Sequence, residues 1–449
     1  MQIKNVKNLI LGLLVVTSLL FSTTTAYGQD VEDRITYTKD GSRSITIKNS
    51  RQNFKIEYEG DITLSDDDKD ITAISRNGYI EIRKTRFGKR RRLFIESEGG
   101  KLVHRYYVGS REVNYLPDGK NWLAEVLPEI VRSTIIAAES RVDRFYKKGG
   151  AKEVMYEVEA MDSDYVQAHY VKLLLKKRLS NSELVNVIRT IGDEIDSDYY
   201  LSQILKSNQK AFLASEQTKA AYIKAAASLD SDYYASTIVK EVIKDAKIGD
   251  KDMTSLLKIT EGIDSDHYKT QILSLLMKER KLNSSNISTI MKMSRDIDSD
   301  HYRTQVLKKA LKKEGLSKEN QETFLNSLSE IDSDHYTTEI IKELMVDNMD
   351  SKGLTKLLNI VNNNIDSDHY ATNIYKKLAS NNNITEAQLI QLMESASRNI
   401  NSDYYLSNVL VAYSSKVKSS SQKVKDAYTK AAKSVKSETY FGRAMRAMY

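Results

Sequence analysis

Four of the six histidines, His267, His301, His335 and His369, recur at intervals of 34 residues, each between an Asp and a Tyr. Imidazoles beside carboxylates can ligate a metal, move protons, or carry a charge that appears in mildly acidic conditions. Two arguments stand against a metal ladder. Packed helices lie about 10 Å apart, whereas imidazoles sharing one zinc must each reach it at about 2.1 Å. The neighbouring aspartates also fall where helices should begin, and the helix dipole repels cations there. No metal or other cofactor is expected. The row instead marks a candidate partner surface, extended by Tyr199, Tyr233 and Tyr404 at the same site in flanking copies. A partner bearing carboxylates should then bind more tightly at about pH 5.5 than at about pH 7.5. The competing reading is that each imidazole hydrogen-bonds an acid of the next copy and fastens the stack.

Other groupings that could do chemistry are sparse. The chain has no cysteine, no Gly-x-Ser-x-Gly elbow, no Walker loop and no Gly-x-Gly-x-x-Gly. An unrecognised carboxylate-based hydrolase remains a third functional reading, and a non-enzymatic role is the expectation. Arg83, Lys84, Arg86, Lys89, Arg90, Arg91 and Arg92 gather around one hairpin tip, a candidate patch for an anion such as an anionic glycan. Asp66, Asp67, Asp68 and Asp70 lack the spacing and final glutamate of a calcium loop and read as a solvated turn.

The histidines belong to a longer phrase, apolar-Asp-Ser-Asp-His/Tyr-Tyr. Its copies start at 161, 195, 229, 263, 297, 331 and 365, with looser ones at 400 and 435. A fixed period of this length signals stacked helical pairs. In the copy starting at Ile263, Tyr268, Ile272, Leu273 and Leu276 make one helical stripe, and Ile287, Ile290 and Met291 make a second after a polar break. Neither stripe can be buried alone, so copies must stack. Ser163, Ser197, Ser231, Ser265, Ser299, Ser333, Ser367, Ser402 and Ser437 hold the third position, each followed by an acid. Serine as N-cap with an acid in the first turn predicts a helix start. The sixth position, usually Tyr, reads as packing between copies.

Ahead of the repeats, residues 35–116 alternate with period two and carry turn signals at Asn77-Gly78, Phe87-Gly88, Gly99-Gly100 and Gly109-Ser110. Six to eight antiparallel strands are expected. The fold class is α+β: a small antiparallel β-rich N-terminal domain, then an all-α solenoid of 34-residue two-helix repeats. The domains are 29–118 for the β meander, 119–160 for a helical transition capping the array, and 161–449 for the repeats. Both prolines, Pro117 and Pro128, precede the array, as helix packed on helix requires.

Residues 1–28 have the plan of a signal peptide: Lys4 and Lys7, an apolar run from Leu9 to Phe21, then Ala26-Tyr27-Gly28. The run is shorter than the roughly 20 residues a spanning helix needs. The mature chain is expected to be exported, periplasmic or extracellular, and not to span a membrane. Its formal charge falls from +7 by the two lysines removed, an excess too thin to suggest nucleic acid.

The 34-residue period matches tetratricopeptide units, but their Trp-Leu-Gly-Tyr and late proline positions are missing. The β head followed by Ser-Asp-His/Tyr-Tyr repeats resembles secreted Bacteroidetes proteins with such repeats. It is also similar to the extracytoplasmic regions attached to BlaR-type membrane peptidases. The resemblance implies an exported, envelope-associated protein. It carries over no catalytic residue, because no His-Glu-x-x-His occurs here. The expected function is a scaffold that holds an envelope protein or peptide on its solenoid, with anionic-glycan binding through the basic hairpin as the alternative.

Overall fold

The computed structural model describes residues 32–37, 43–48, 53–245, 248–314, 318–344, 349–380 and 383–449. The expected signal segment lies outside them. The chain is α+β and divides into two compact units at Ala137/Ala138.

The first unit is built on a seven-stranded antiparallel sheet. Its strands are β1 (Glu32–Tyr37), β2 (Arg43–Lys48), β3 (Asn53–Glu59), β6 (Tyr79–Arg86), β7 (Lys89–Glu98), β8 (Lys101–Val108) and β9 (Arg111–Val113), adjacent in that order. Between β3 and β6 the chain makes a two-stranded excursion, β4 (Ile62–Leu64) and β5 (Ile71–Ile74). Alternation sends Phe54, Ile56, Ile80, Ile82, Leu93 and Ile95 to one face, where all are fully buried. Helix α1 (Lys120–Ser133) covers that face with Trp122, Leu123, Val126, Leu127, Ile130 and Val131. Each such side chain contributes about 1.5–3 kcal/mol when taken out of water.

This corrects the expected boundary. The segment 119–160 does not act together as a cap for the repeats. Its first helix belongs to the sheet, because a sheet with one apolar face needs a covering layer. The remainder, Ala138–Glu159, opens the second unit and breaks at Gly149-Gly150. Gly150 has φ +68°, a conformation that favours glycine. The two arms are joined by a buried ion pair, Arg141 Nη2 to Glu157 Oε1 at 2.6 Å, and Arg141 also donates to the Tyr170 hydroxyl.

The second unit is the helical repeat. First helices begin at Asp164, Asp198, Asp232, Asp266, Asp300, Asp334, Asp368 and Asp403, each within the expected phrase. Second helices carry their own caps: Ser180 with Glu183, Ser215 with Thr218 and Thr385 with Gln388 form capping boxes. The copy starting at Val435 contributes the single helix Glu438–Met448. Among the described residues no helix is long and apolar enough to cross a membrane.

Candidate functional site

In every copy the motif serine occupies the N-cap, and its carbonyl accepts the first helical hydrogen bond, from Gln167 N in the first copy to Phe441 N in the last. The side-chain cap expected of it is mostly absent. Ser265 and Ser402 accept from the N–H three residues on, both at the long distance of 3.5 Å. Ser163, Ser197, Ser231, Ser333, Ser367 and Ser437 make no such bond.

The acid after the serine does the joining. Asp164, Asp198, Asp232, Asp266, Asp300, Asp334, Asp368 and Asp403 each accept from the backbone N–H of the next copy's serine, at 2.5–3.0 Å. In six of these junctions the other carboxylate oxygen accepts the N–H of the residue before that serine, as Asp266 Oδ1 does from Asp298 at 3.2 Å. A carboxylate bridging two backbone donors is a strong, oriented link. Burial pushes the Asp164 carboxyl up, opposed by the Ser197 N–H. The donors are main-chain groups, so the second motif position can change to Asn401 or Lys436 without loss.

Beside this ladder runs a second one, made of rings. Each fifth-position ring meets the sixth-position Tyr of the next copy, mostly edge-on. The spacings are 5.8–6.2 Å for His267, His301, His335 and His369. They are 5.7–6.4 Å for Tyr165, Tyr199, Tyr233 and Tyr404. The outer face of the row is open: all four histidines are exposed, and Tyr199, Tyr233 and Tyr404 are 49%, 55% and 47% exposed.

The imidazole partners are hydroxyls and amides, where the fastening alternative anticipated acids. Lys240 donates to Gln271 Oε1 at 2.8 Å, which turns the Gln271 amide nitrogen toward His267 Nε2 at 2.6 Å. On the other side of the ring, Nδ1 stands within hydrogen-bond reach of the Tyr302 hydroxyl, at 3.2 Å. His301 repeats the arrangement with Gln305 at 2.8 Å and Tyr336 at 3.5 Å, and His369 meets Asn373 at 3.2 Å. His267 and Tyr302 edge a groove of about 730 Å³ across the helices Asp232–Lys244, Asp266–Glu279 and Asp300–Glu314. Lys240, Lys244, Lys278 and Lys309 line it against one acid, Glu241. Burial, and then the charge of Lys244, lower the Lys240 ammonium from its ordinary range. Among the described residues no three His, Cys, Asp or Glu side chains gather as metal ligands.

The basic cluster of the first unit divides. The β6–β7 turn takes positive φ at Phe87 and Gly88, the geometry of a tight hairpin. Register pairs Arg83 with Arg92 and Thr85 with Arg90, and pairs Lys84 with Arg91 and Arg86 with Lys89. Paired residues share a face, so Arg83, Arg90 and Arg92 stand on the open face. Lys84, Arg86, Lys89 and Arg91 stand on the face covered by α1. Lys84 is buried there, 4.1 Å over the Phe54 ring and 3.1 Å from Glu129, so it is not available to an external anion. The acidic turn folds onto its own backbone. Asp67 accepts from the Ser65 hydroxyl at 2.7 Å, which holds its carboxyl below the usual range.

No protein-family model matches the chain, and no curated protein matches it either. Among solved structures, a chain described under computational design of self-assembling cyclic protein homooligomers aligns at 9% identity and a TM-score of 0.11. The alignment covers 72% of this chain and 94% of that one. A score that low carries no argument about fold or function.

Proposed function

We propose that the chain is an exported, non-catalytic interaction scaffold of the cell envelope, holding a protein or peptide partner along its helical repeats. The observation that carries this reading is the exposed ring row and the groove it edges. Four lysines face one glutamate there, so the surface suits a partner segment bearing carboxylates. The paired aspartates and rings give each copy the same junction with the next. Such a frame can present one surface chemistry at a regular interval to an extended segment.

A photo-cross-linker placed at Thr237 in the groove tests the reading against one at Glu322 in the helix Lys318–Leu328. Only the first should yield a defined adduct with an envelope protein, and Lys244→Glu with Lys278→Glu should abolish it. Replacing the four histidines by Tyr, the residue flanking copies use at the same site, should keep the fold and weaken capture. Equal adducts from both positions, or capture untouched by charge reversal, would exclude the groove.

A further inference from the structure

On the open face of the sheet, Lys55 of β3, Arg83 of β6 and Arg92 of β7 are consecutive partners in one cross-strand row. Neighbouring strands lie about 4.8 Å apart, so three cationic heads are carried on roughly 10 Å of rigid sheet. Arg90 stands two residues along from Arg92 on the same face. Together these side chains wall a cavity of about 530 Å³, which Thr46, Thr85, Gly109, Ser110 and Arg91, between Arg90 and Arg92 in the strand, also line.

The cations are held in place by two acids of the adjacent row. Arg83 forks onto Glu81 at 2.6 and 2.9 Å and lies 3.7 Å from Glu57. Lys55 meets Glu57 at 2.6 Å, and Arg92 reaches Glu81 at 3.5 Å while stacking 3.8 Å over the Tyr107 ring. Glu81 raises the Arg83 guanidinium further above its ordinary range. Arg90, exposed, stands outside these pairs. The four cations of this face stand against two acids and leave it net positive, with the guanidinium planes of Arg83 and Arg92 oriented by Glu81 and the Tyr107 ring. Fixed guanidinium forks are the groups that bind carboxylate, sulfate or phosphate in two-point fashion.

We propose that this face is a binding site for an anionic saccharide, a sugar carrying at least two carboxylate, sulfate or phosphate groups. The proposal is independent of the partner surface on the repeats. The cations interleave with hydroxyls, which suits a ligand alternating charges with hydroxyl groups. A lipid is a poor fit, because no aliphatic or phenylalanine side chain lines the cavity. The volume falls within the range of ordinary small-ligand sites, about 300–1,000 Å³, and suits one or two sugar rings.

The test is titration calorimetry of the purified chain with a heparin-derived tetrasaccharide, with uncharged maltotetraose, inorganic pyrophosphate and phosphatidylglycerol vesicles as the other arms. Binding of the charged tetrasaccharide is expected, partly competed by pyrophosphate, with none for maltotetraose. Arg90→Gln with Arg92→Gln should weaken it about tenfold or more, the scale of losing charge-assisted hydrogen bonds. Arg90→Gln alone disturbs no internal ion pair and should still weaken binding measurably. Arg86→Gln with Lys89→Gln, on the opposite face of the same hairpin, should change it by less than about twofold. Equal losses in both double variants would mean diffuse attraction and overturn the site. So would vesicle binding that exceeds tetrasaccharide binding, or no binding of the tetrasaccharide at all.

Discussion

Replacing Asp266 by Ala should destabilise the repeat more than replacing Ser265, although Ser265 is the residue that holds the N-cap. Asp266 accepts from Ser299 N at 2.8 Å and from Asp298 N at 3.2 Å. A hydrogen bond to a charged acceptor is worth about 1.5–3 kcal/mol net. The second bond is longer and exposed, so the pair together should contribute about 2–4 kcal/mol. The acid also sits in the first turn of its own helix, adding about 0.3–1 kcal/mol. The Ser265 hydroxyl accepts from Tyr268 N only at 3.5 Å, so its removal should cost less than the usual N-cap value of about 1 kcal/mol. Asp264, exposed and contributing only its backbone N–H, should be replaceable by Ala within about 0.5 kcal/mol. Repeat arrays can lose two-state behaviour, so denaturant midpoints should be read beside amide exchange at Ser299. Exchange there should accelerate in Asp266→Ala and stay unchanged in Ser265→Ala. The ladder account fails if Ser265→Ala costs as much as Asp266→Ala, or if Ser299 stays equally protected.

Two further outcomes follow from the second unit. Truncating Glu157 to Ala takes a partner from Arg141, which is 1% exposed, and should cost about 3–5 kcal/mol in a melt. A cost under about 1 kcal/mol would show that the guanidinium finds equivalent partners. Hydrogen bonds from Lys342 and then Lys308 hold the Glu339 carboxyl below its ordinary value of 4.5. A depressed folded value means stabilisation that is present above the unfolded value and lost as pH falls through the folded one. Glu339→Gln should therefore melt below the wild type at neutral pH, and the gap should close on acidification. A gap independent of pH would remove the ionic explanation.

The repeat was legible because its period, apolar stripes and helix starts are all written in local spacing. The aspartate clamp was not. A carboxylate one residue inside a helix looks like a dipole partner, and nothing in its own copy shows that it faces donors 32 to 34 residues away. A faint signal existed: the second motif position drifts to Asn401 and Lys436, while the fourth stays acidic. Helix α1 was misplaced for a different reason. Its apolar face, Trp122, Leu123, Val126, Leu127, Ile130 and Val131, is compatible with packing on either a helix or a sheet. Only the bare inner face of seven strands decides between them. The division of the basic hairpin could have been read from period-two alternation alone, since Arg83 and Lys84 are neighbours and must point opposite ways.

The fifth motif position carries the strongest argument for function. Histidine and tyrosine there meet the next copy's Tyr over overlapping distances, 5.8–6.2 Å and 5.7–6.4 Å. Packing therefore asks for a flat ring and does not choose between them. The four consecutive histidines need a reason that the stack does not supply. One internal reason is visible at His267, where Lys240, Gln271 and Tyr302 form a connected chain through the imidazole. It does not extend to His335, whose fourth residue on is Glu339, already bound to Lys342 and Lys308. A hydrogen-bond chain that varies from copy to copy cannot account for an unvarying histidine. What the four share is an exposed imidazole at one repeating place on the surface, and that is the property a partner would read.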